Sequence, residues 1–496
     1  MKAPSATPLQ RKVMFGVLAL VFVLLALATP DRSKPAVPEV GTRAFAWDAN
    51  PLWRRLHAQF EEARHQPLAR VNPRIEVLFA TVRTELSLLV AANAGPSDTR
   101  FDALQNDLFT LSAFVAAHPS RAAELAAFVT TMRTEVKKLS ETWRADENAR
   151  RRLYRLLYGS RGALEEVLLQ AGRGSVPEVL MGVDEPSAAP SVVIRGVRIH
   201  SGDVLLSRGE TATSALIARG NDYPGNFSHV ALVHIDERTH RVSLIEAHIE
   251  VGVVVSSLES YLGDGKLRIL VLRPRADLPA LVANPSLAHV VATRALRRAQ
   301  ERHIPYDFEM DYADHDKAFC SEVASAPYAD AGVSLWQSLS SMSSHANSFW
   351  LASFGVTHFQ THAPADLEYD PQLRVVAEWR NPATLLQDHV DNAIVDTLLE
   401  EADRGEPIRF KWWMLPFARL AKGYSVVLNW FGKVGPVPEG MNAAVALRAS
   451  SLASRHARIR ARVMNDIRRY REGRHAMPPY WDLVTIARTQ TSRTPW

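Results

Sequence analysis

Cys320 is the only cysteine in the 496-residue chain, and it stands in the run Phe319-Cys320-Ser321-Glu322. A lone thiol is either a small buried apolar group or a nucleophile. The nucleophile is the thiolate, whose ordinary pKa near ~8.5 falls beside an imidazolium or a helix N-terminus. Asp314, His315, Asp316 and Lys317 form a polar loop before the thiol, and Ser321-Glu322-Val323-Ala324 opens a helix. The sulfur is thereby expected at a helix start, where free N–H groups and the dipole favour negative charge. Those N–H groups could also receive an oxyanion on an acyl carbon.

A thiol nucleophile needs a base, and the base needs a group to orient it. His229 begins the apolar run His229-Val230-Ala231-Leu232-Val233, and Glu246 lies in Val242-Ser243-Leu244-Ile245-Glu246-Ala247. The polar stretch Asp236–Arg241 between them suits a hairpin. With a two- or four-residue loop centred on Arg238 and Thr239, Ala231 faces Glu246 and His229 is diagonal to it. Side chains alternate along strands, so both then share a face within mutual reach. A three-residue loop would separate them onto opposite faces. His248, on the face of Glu246, is a rival orienter.

The elements that must carry these residues read as an α+β domain over 190–400. Val192–Ile199, Asp203–Ser207, His229–Ile235, Val242–Ala247, Val251–Ser256 and Leu267–Leu272 are expected as strands, bounded by Gly, Asp or Pro. A helix is expected over Ser286–Arg302, another over Cys320–Tyr328, a strand over Arg374–Trp379 and a helix over Pro382–Ala402. Before this domain, residues 45–172 show helical periodicity: Ile75, Leu78, Phe79, Val82, Leu86 and Leu89 recur at three- and four-residue steps. Breaks at 93–98 and 118–120 suggest an antiparallel bundle of about four helices, whose charged residues read as solvated faces. Residues 173–190 read as a linker.

Residues 405–496 form a C-terminal extension. Phe410–Phe417 and Tyr424–Phe431 mix aromatic, basic and apolar residues. The simplest reading is a helix pair packed on the catalytic domain, and the alternative is a membrane-interface surface. Nine arginines against Asp466 and Glu472 fall between Arg448 and Arg474. They suit solvent, anionic head groups or an acidic envelope polymer.

The N-terminus supplies an address. Lys2, Arg11 and Lys12 precede an unbroken apolar run from Val13 to Ala28. Basic residues before such a run keep its start in the cytoplasm and send the remainder outward. Residues 1–30 are therefore a signal anchor or a signal peptide. Anchoring through 13–29 is favoured because the run exceeds an ordinary signal-peptide core, although Ala26-Leu27-Ala28 resembles a cleavage site. The product is expected on the periplasmic or extracytoplasmic side of the inner membrane. A net charge of +5 is small for this length and argues for no nucleic-acid partner. No cofactor is required. His303, His315, His345, His358 and His362 lack a metal-ligand spacing such as His-Glu-x-x-His.

Gly202-Asp203-Val204-Leu205-Leu206, Ser228-His229-Val230, Ile245-Glu246-Ala247, Tyr306-Asp307-Phe308 and Phe319-Cys320-Ser321-Glu322 occur in the order seen in the YiiX/YaeF-like family. These are circularly permuted papain-like (NlpC superfamily) cysteine hydrolases, and the resemblance spans roughly 195–330. It implies Cys320 as nucleophile, His229 as base and Glu246 as third member, with Tyr306, Ser228 and Ser321 lining the substrate site. It also implies an envelope amidase or peptidase acting on peptidoglycan-derived peptides or on N-acyl and lipid-like acyl groups. Acyl transfer would use the same thioacyl intermediate. From a different class, the chain could be a non-catalytic envelope scaffold built on a retired papain-like domain.

Overall fold

The computed structural model describes residue 45 and residues 49–496, apart from 173, 336–338 and 432. The expected anchor within 1–30 and the stretch to 44 lie outside the described residues. Among those described, no helix is long and apolar enough to cross a membrane.

The bundle comprises α1 (Ala49–Arg64), α2 (Leu68–Ala91), α3 (Arg100–Ala117), α4 (Ala122–Ser140) and α5 (Glu147–Gln170). Its core holds the periodic residues: Ile75, Phe79, Val82, Leu104, Leu108, Leu125, Met132 and Val136 are all buried. One helix more than expected appears because Pro67 caps α2 in an extended conformation, which ends α1 before it.

The expected linker contributes β1 (Val179–Met181), a short edge strand. There follow β2 (Ser191–Ile194), β3 (Val197–His200), β4 (Val204–Gly209), α6 (Ala212–Arg219), β5 (His229–Ile235), β6 (Val242–His248) and β7 (Gly252–Ser257). Then come α7 (Leu258–Gly263), β8 (Lys266–Pro274), α8 (Pro279–Ala283), α9 (Leu287–Glu301), α10 (Glu322–Asp330), β9 (Ser340–Ser341), α11 (His345–Ala352), β10 (Gln360–Thr361) and β11 (Leu373–Arg380). The single strand expected over 192–199 is instead the β2–β3 hairpin. Arg195 and Gly196 both have positive φ there, as a two-residue turn that follows the strands' twist requires.

Seven strands form an antiparallel sheet in the order β1-β11-β8-β4-β5-β6-β7. Alternation sorts its residues between two cores. Leu206, Val230, Leu232, Ile245 and Leu270 pack under α9 and α10, against Val291, Val323 and Tyr328. Ala231, Val233, Leu244 and Ile269 face the β2–β3 hairpin and Tyr261 of α7.

The bundle's charges are not all solvated, contrary to expectation. Arg133, Lys137, Arg150, Arg161 and Glu165 are buried against the sheet domain. Arg133 bonds Glu378 at 2.5 Å and Arg161 bonds the same carboxylate at 3.1 Å. Arg161 also pairs with Glu368, and Arg268 with Glu165 at 2.6 Å and with Asp388. Arg133, Arg161 and Arg268 thus each face a carboxylate, the condition under which such charges are tolerated. Lys137 donates to the carbonyls of Glu368 and Asp370 at 2.6 and 2.7 Å.

The chain ends in α12 (Leu385–Asp403), α13 (Leu415–Trp430), α14 (Ala443–Arg474) and α15 (Tyr480–Ser492). α12, α14 and α15 share a core through Val390, Ile394, Leu398, Ile459, Val463 and Leu483. Arg455 is buried within it, paired with Glu401 at 2.7 Å, whereas Arg468, Arg469, Arg471 and Arg474 are exposed. α13 departs from the packed helix pair expected for this stretch: its fully buried residues are Leu415 and Ser425.

Candidate active site

The β5–β6 hairpin has the register expected from its loop. Ala231 pairs with Glu246 and Ile235 with Val242, and the Asp236 N–H donates to the Arg241 carbonyl, leaving a four-residue turn. His229 is then diagonal to Glu246 on one face, and their side chains meet: His229 Nε2 lies 2.8 Å from Glu246 Oε2. His248 stands beside them. Its Nε2 approaches Glu246 Oε1 at 3.4 Å, an electrostatic contact without hydrogen-bond geometry, and its ring is edge-on to His229 at 5.5 Å between centroids. Both histidines thus engage Glu246, and the tighter contact is with His229.

Burial pushes the Glu246 carboxyl up, but the hydrogen bond from His229 and the electrostatic influence of His229 and His248 outweigh it and hold the group well below the usual carboxylate range. His229 is driven the other way. Burial disfavours its charged form, Glu246 offsets only part of that, and Lys266 and His248 add to the depression. A neutral imidazole beside an ionised carboxylate is the pairing a general base needs. With Nε2 at the carboxylate, the Nδ1 lone pair is the one available for a proton. Lys266, not anticipated from sequence, is itself buried, with its ammonium 4.7 Å over the Tyr261 ring.

Cys320 immediately precedes α10, whose N-cap is Ser321. Glu322 reaches back to accept the Phe319 N–H at 2.9 Å, which pins the turn containing the thiol. The Pro305 carbonyl accepts the Ala318 N–H, and the Asp307 N–H donates to Ala318. This isolated bridge brings Tyr306 alongside the thiol's segment. Gly202-Asp203 serves the same scaffold: Tyr328 of α10 donates to the Gly202 carbonyl at 2.6 Å, and a Cβ at Gly202 would lie 2.5 Å from Ala288. Asp203 holds Arg273 of β8 at 2.8 Å.

The sulfur lies against the backbone at the start of β5, 3.8 Å from the Ser228 carbonyl oxygen, one peptide unit from His229. Its contact is with this backbone and not, by any hydrogen bond, with the His229 ring. The two groups approach the strand end from different sides: α10 packs in the core of Val230 and Leu232, while His229 and Glu246 share the face of Ala231. Cys320 is 5% exposed. Burial pushes its thiol up to about 11, against smaller opposing effects from the Val230 N–H, the Ser321 hydroxyl and N–H, and the Cys320 N–H. The helix start therefore does not by itself make the thiolate expected from sequence, because desolvation exceeds the dipole's contribution.

Ser228 and Ser321 are both adjacent to the thiol, but their hydroxyls are engaged elsewhere. Ser228 Oγ bonds Ser214 Oγ at 2.6 Å, and Ser321 Oγ donates to the His362 carbonyl at 2.6 Å. Tyr306 is buried, and its ring packs edge-on to Phe308 at 5.0 Å. His362 also escaped sequence reasoning as a neighbour of the site. Its ring stacks on Tyr312 at 4.9 Å, and burial lowers it to about 4. It comes from a loop with no periodic pattern, so its placement depends on tertiary structure alone. His229, Glu246 and His248 each offer a ligand atom within 4.8 Å of the others, so a metal ion could compete with the His229–Glu246 pair for the same atoms.

No curated protein matches the chain. A crystal structure of metalloprotein yiiX from Escherichia coli O157:H7 aligns over 36% of this chain and 98% of its own, at 20% identity and a TM-score of 0.28. The family comparison agrees with the motifs from Gly202-Asp203 to Phe319-Cys320-Ser321-Glu322. Residues 198–377, well under half of the chain, match the permuted papain-like amidase enzymes of the YaeF/YiiX, C92 family.

Proposed function

We propose that residues 198–377 form a cysteine hydrolase site acting on amide or ester bonds, with Cys320 as nucleophile, His229 as base and Glu246 as the group that orients it. The observation that carries this reading is the 2.8 Å contact between His229 and Glu246 at the strand end where the Cys320 sulfur lies. Glu246 fixes the tautomer and supports the imidazolium, and Nδ1 takes the thiol proton as sulfur attacks the acyl carbon. The thiol rests on the Ser228 carbonyl, so substrate engagement must bring sulfur to that nitrogen, since catalytic hydrogen bonds commonly tighten only with substrate present. The C–N or C–O bond breaks, His229 returns the proton to the leaving group, and water then cleaves the thioester. An acceptor other than water would make the same site a transferase.

The substrate class is an acyl or peptidyl group of the cell envelope, reached from the outer side of the inner membrane by a chain held through residues 13–29. The test uses the full chain with a water-soluble p-nitrophenyl acyl ester. Expected are a nitrophenolate burst and an acyl adduct on Cys320 detected by mass spectrometry, both lost in Cys320→Ser and His229→Ala. Turnover that survives Cys320→Ser would overturn the thiol mechanism, and a wild-type chain with neither burst nor adduct would leave the scaffold alternative, which the thiol's burial favours.

A further inference from the structure

We infer that the outer face of α13 is a membrane-interface surface that seats on an anionic lipid bilayer and holds the Cys320 site beside it. The inference rests on the hydrolase reading above and narrows its substrate to acyl groups presented at the headgroup–acyl boundary.

The stripe Trp413, Phe417, Leu420, Tyr424, Val427 and Phe431 runs along and just beyond α13 at alternating four- and three-residue steps, and every member is exposed. That spacing marks one face of a helix, and in a soluble domain it is the face turned inward. Here, apart from Leu415 at the helix start, the inward side is small or polar. Ser425 is buried, and Gly435 packs so closely on it that a Cβ there would lie 2.4 Å from the Ser425 Cα. Two further tryptophans, Trp412 and Trp430, lie at the two ends of the helix, 68% and 77% exposed. An apolar patch of this extent is a surface with an occupant.

Charge says which occupant. Residues 407–438 contain no Asp or Glu, and carry Arg409, Lys411, Arg419, Lys422 and Lys433. Lys411 and Lys433 are exposed at opposite ends of the helix, and the Lys411 ammonium lies 5.9 Å over the Trp413 ring. Tryptophan and lysine flanking an apolar helical face match a bilayer boundary with anionic head groups. A second copy would instead set this cationic segment against itself. At 16 residues the helix lies along such a surface and does not cross it.

The inner side of α13 ties the surface to the active site. Ala421 packs with Val437, Met441 and Val445, and the same cluster holds Ile249 and Phe308. Ile249 follows His248, and Phe308 touches Tyr306. The Glu439 N–H donates to the Glu250 carbonyl, and Glu439 accepts from His303 at 2.8 Å. Whatever α13 rests on is therefore held next to the rim of the His229–Glu246 site.

The full chain is reconstituted with phosphatidylglycerol–phosphatidylcholine vesicles doped with a photoactivatable phospholipid, and cross-linked peptides are mapped by mass spectrometry. The expected result is lipid label on residues 411–434, weaker on pure phosphatidylcholine. In Phe417→Ser/Leu420→Ser/Phe431→Ser that label is lost, lipid-borne ester hydrolysis falls by about tenfold or more, and hydrolysis of the water-soluble ester is unchanged. Label confined to residues 1–44, or cross-links joining α13 to a second copy or to residues 13–28, would overturn the inference. A wild-type chain that leaves the soluble ester intact removes the hydrolase reading, and the substrate class with it. Soluble hydrolysis without α13 label removes this inference alone.

Discussion

Burial of Cys320 makes its alkylation rate a sensitive measure of the resting site. The chain has one thiol, so carbamidomethyl label on the peptide holding it reports Cys320 alone. With its pKa pushed up to about 11 by desolvation, the thiol is neutral at pH 7. The thiolate fraction there is about 10⁻⁴, against about 3 × 10⁻² for an ordinary thiol near ~8.5, so the native chain should react roughly 300-fold more slowly than the unfolded one. The sulfur's low exposure slows it further. The assay is iodoacetamide labelling from pH 6 to 11, read on the Cys320 peptide by mass spectrometry, on native and denatured chain. The native rate should climb without a plateau until about pH 11, while the activated acyl ester acylates Cys320 readily at pH 7. Acylation without alkylation would mean that substrate engagement brings sulfur to His229. If the native chain is alkylated at pH 7 as fast as the unfolded chain, or its profile inflects below pH 7, the thiol is already ionised and the burial reasoning is wrong.

Glu246→Gln keeps the shape but removes the charge that supports the His229 imidazolium, and should lower kcat for the acyl ester by roughly 10²–10⁴-fold with little change in thermal stability; a loss under threefold would assign the role to another group. Glu378→Ala strands Arg133 and Arg161 in the interior, and chemical denaturation should show a loss of about 3–5 kcal/mol; a change under about 1 kcal/mol would mean the pair is solvated in practice. Burial, aided by Asp307, Asp311 and Asp314, raises Glu322 from 4.5 to about 8. The folded state then binds more protons than the unfolded state between those values, so this group's stabilisation is full below pH 4.5 and is lost as pH rises through 8. Glu322→Gln, which can still accept the Phe319 N–H, should flatten that part of the stability–pH curve; an unaltered slope would show that Glu322 is ionised in the fold.

The β5–β6 hairpin was legible because strand periodicity is local. His229 and Glu246 could be set in register from the polar loop between them, and Ala231 faces Glu246 as that loop requires. The bundle core was legible for the same reason, from its three- and four-residue steps. What sequence could not show depends on partners far along the chain. Arg133 and Arg161 read as surface charges until Glu378, more than two hundred residues later, meets them. The thiol's ionisation followed the same pattern. A helix start is visible in Ser321-Glu322, but the desolvation that opposes it comes from packing around the start of β5. Likewise, Ser228 and Ser321 adjoin the sulfur as the motifs implied, while their hydroxyls are committed to Ser214 and His362.

The charge network has a consequence for dissecting the protein. The family match stops at residue 377, inside β11 (Leu373–Arg380), and its boundaries divide the buried pairs. Glu368 and Arg268 fall within it, while their counterions Arg161, Glu165 and Asp388 fall outside. A fragment cut to 198–377 would lose the end of β11 and the edge strand β1 beside it, and carry severed ionic contacts on a newly wetted face. The hydrolase segment is thus grafted into its neighbours, and the smallest expressible unit must carry α4, α5 and α12 along with the sheet.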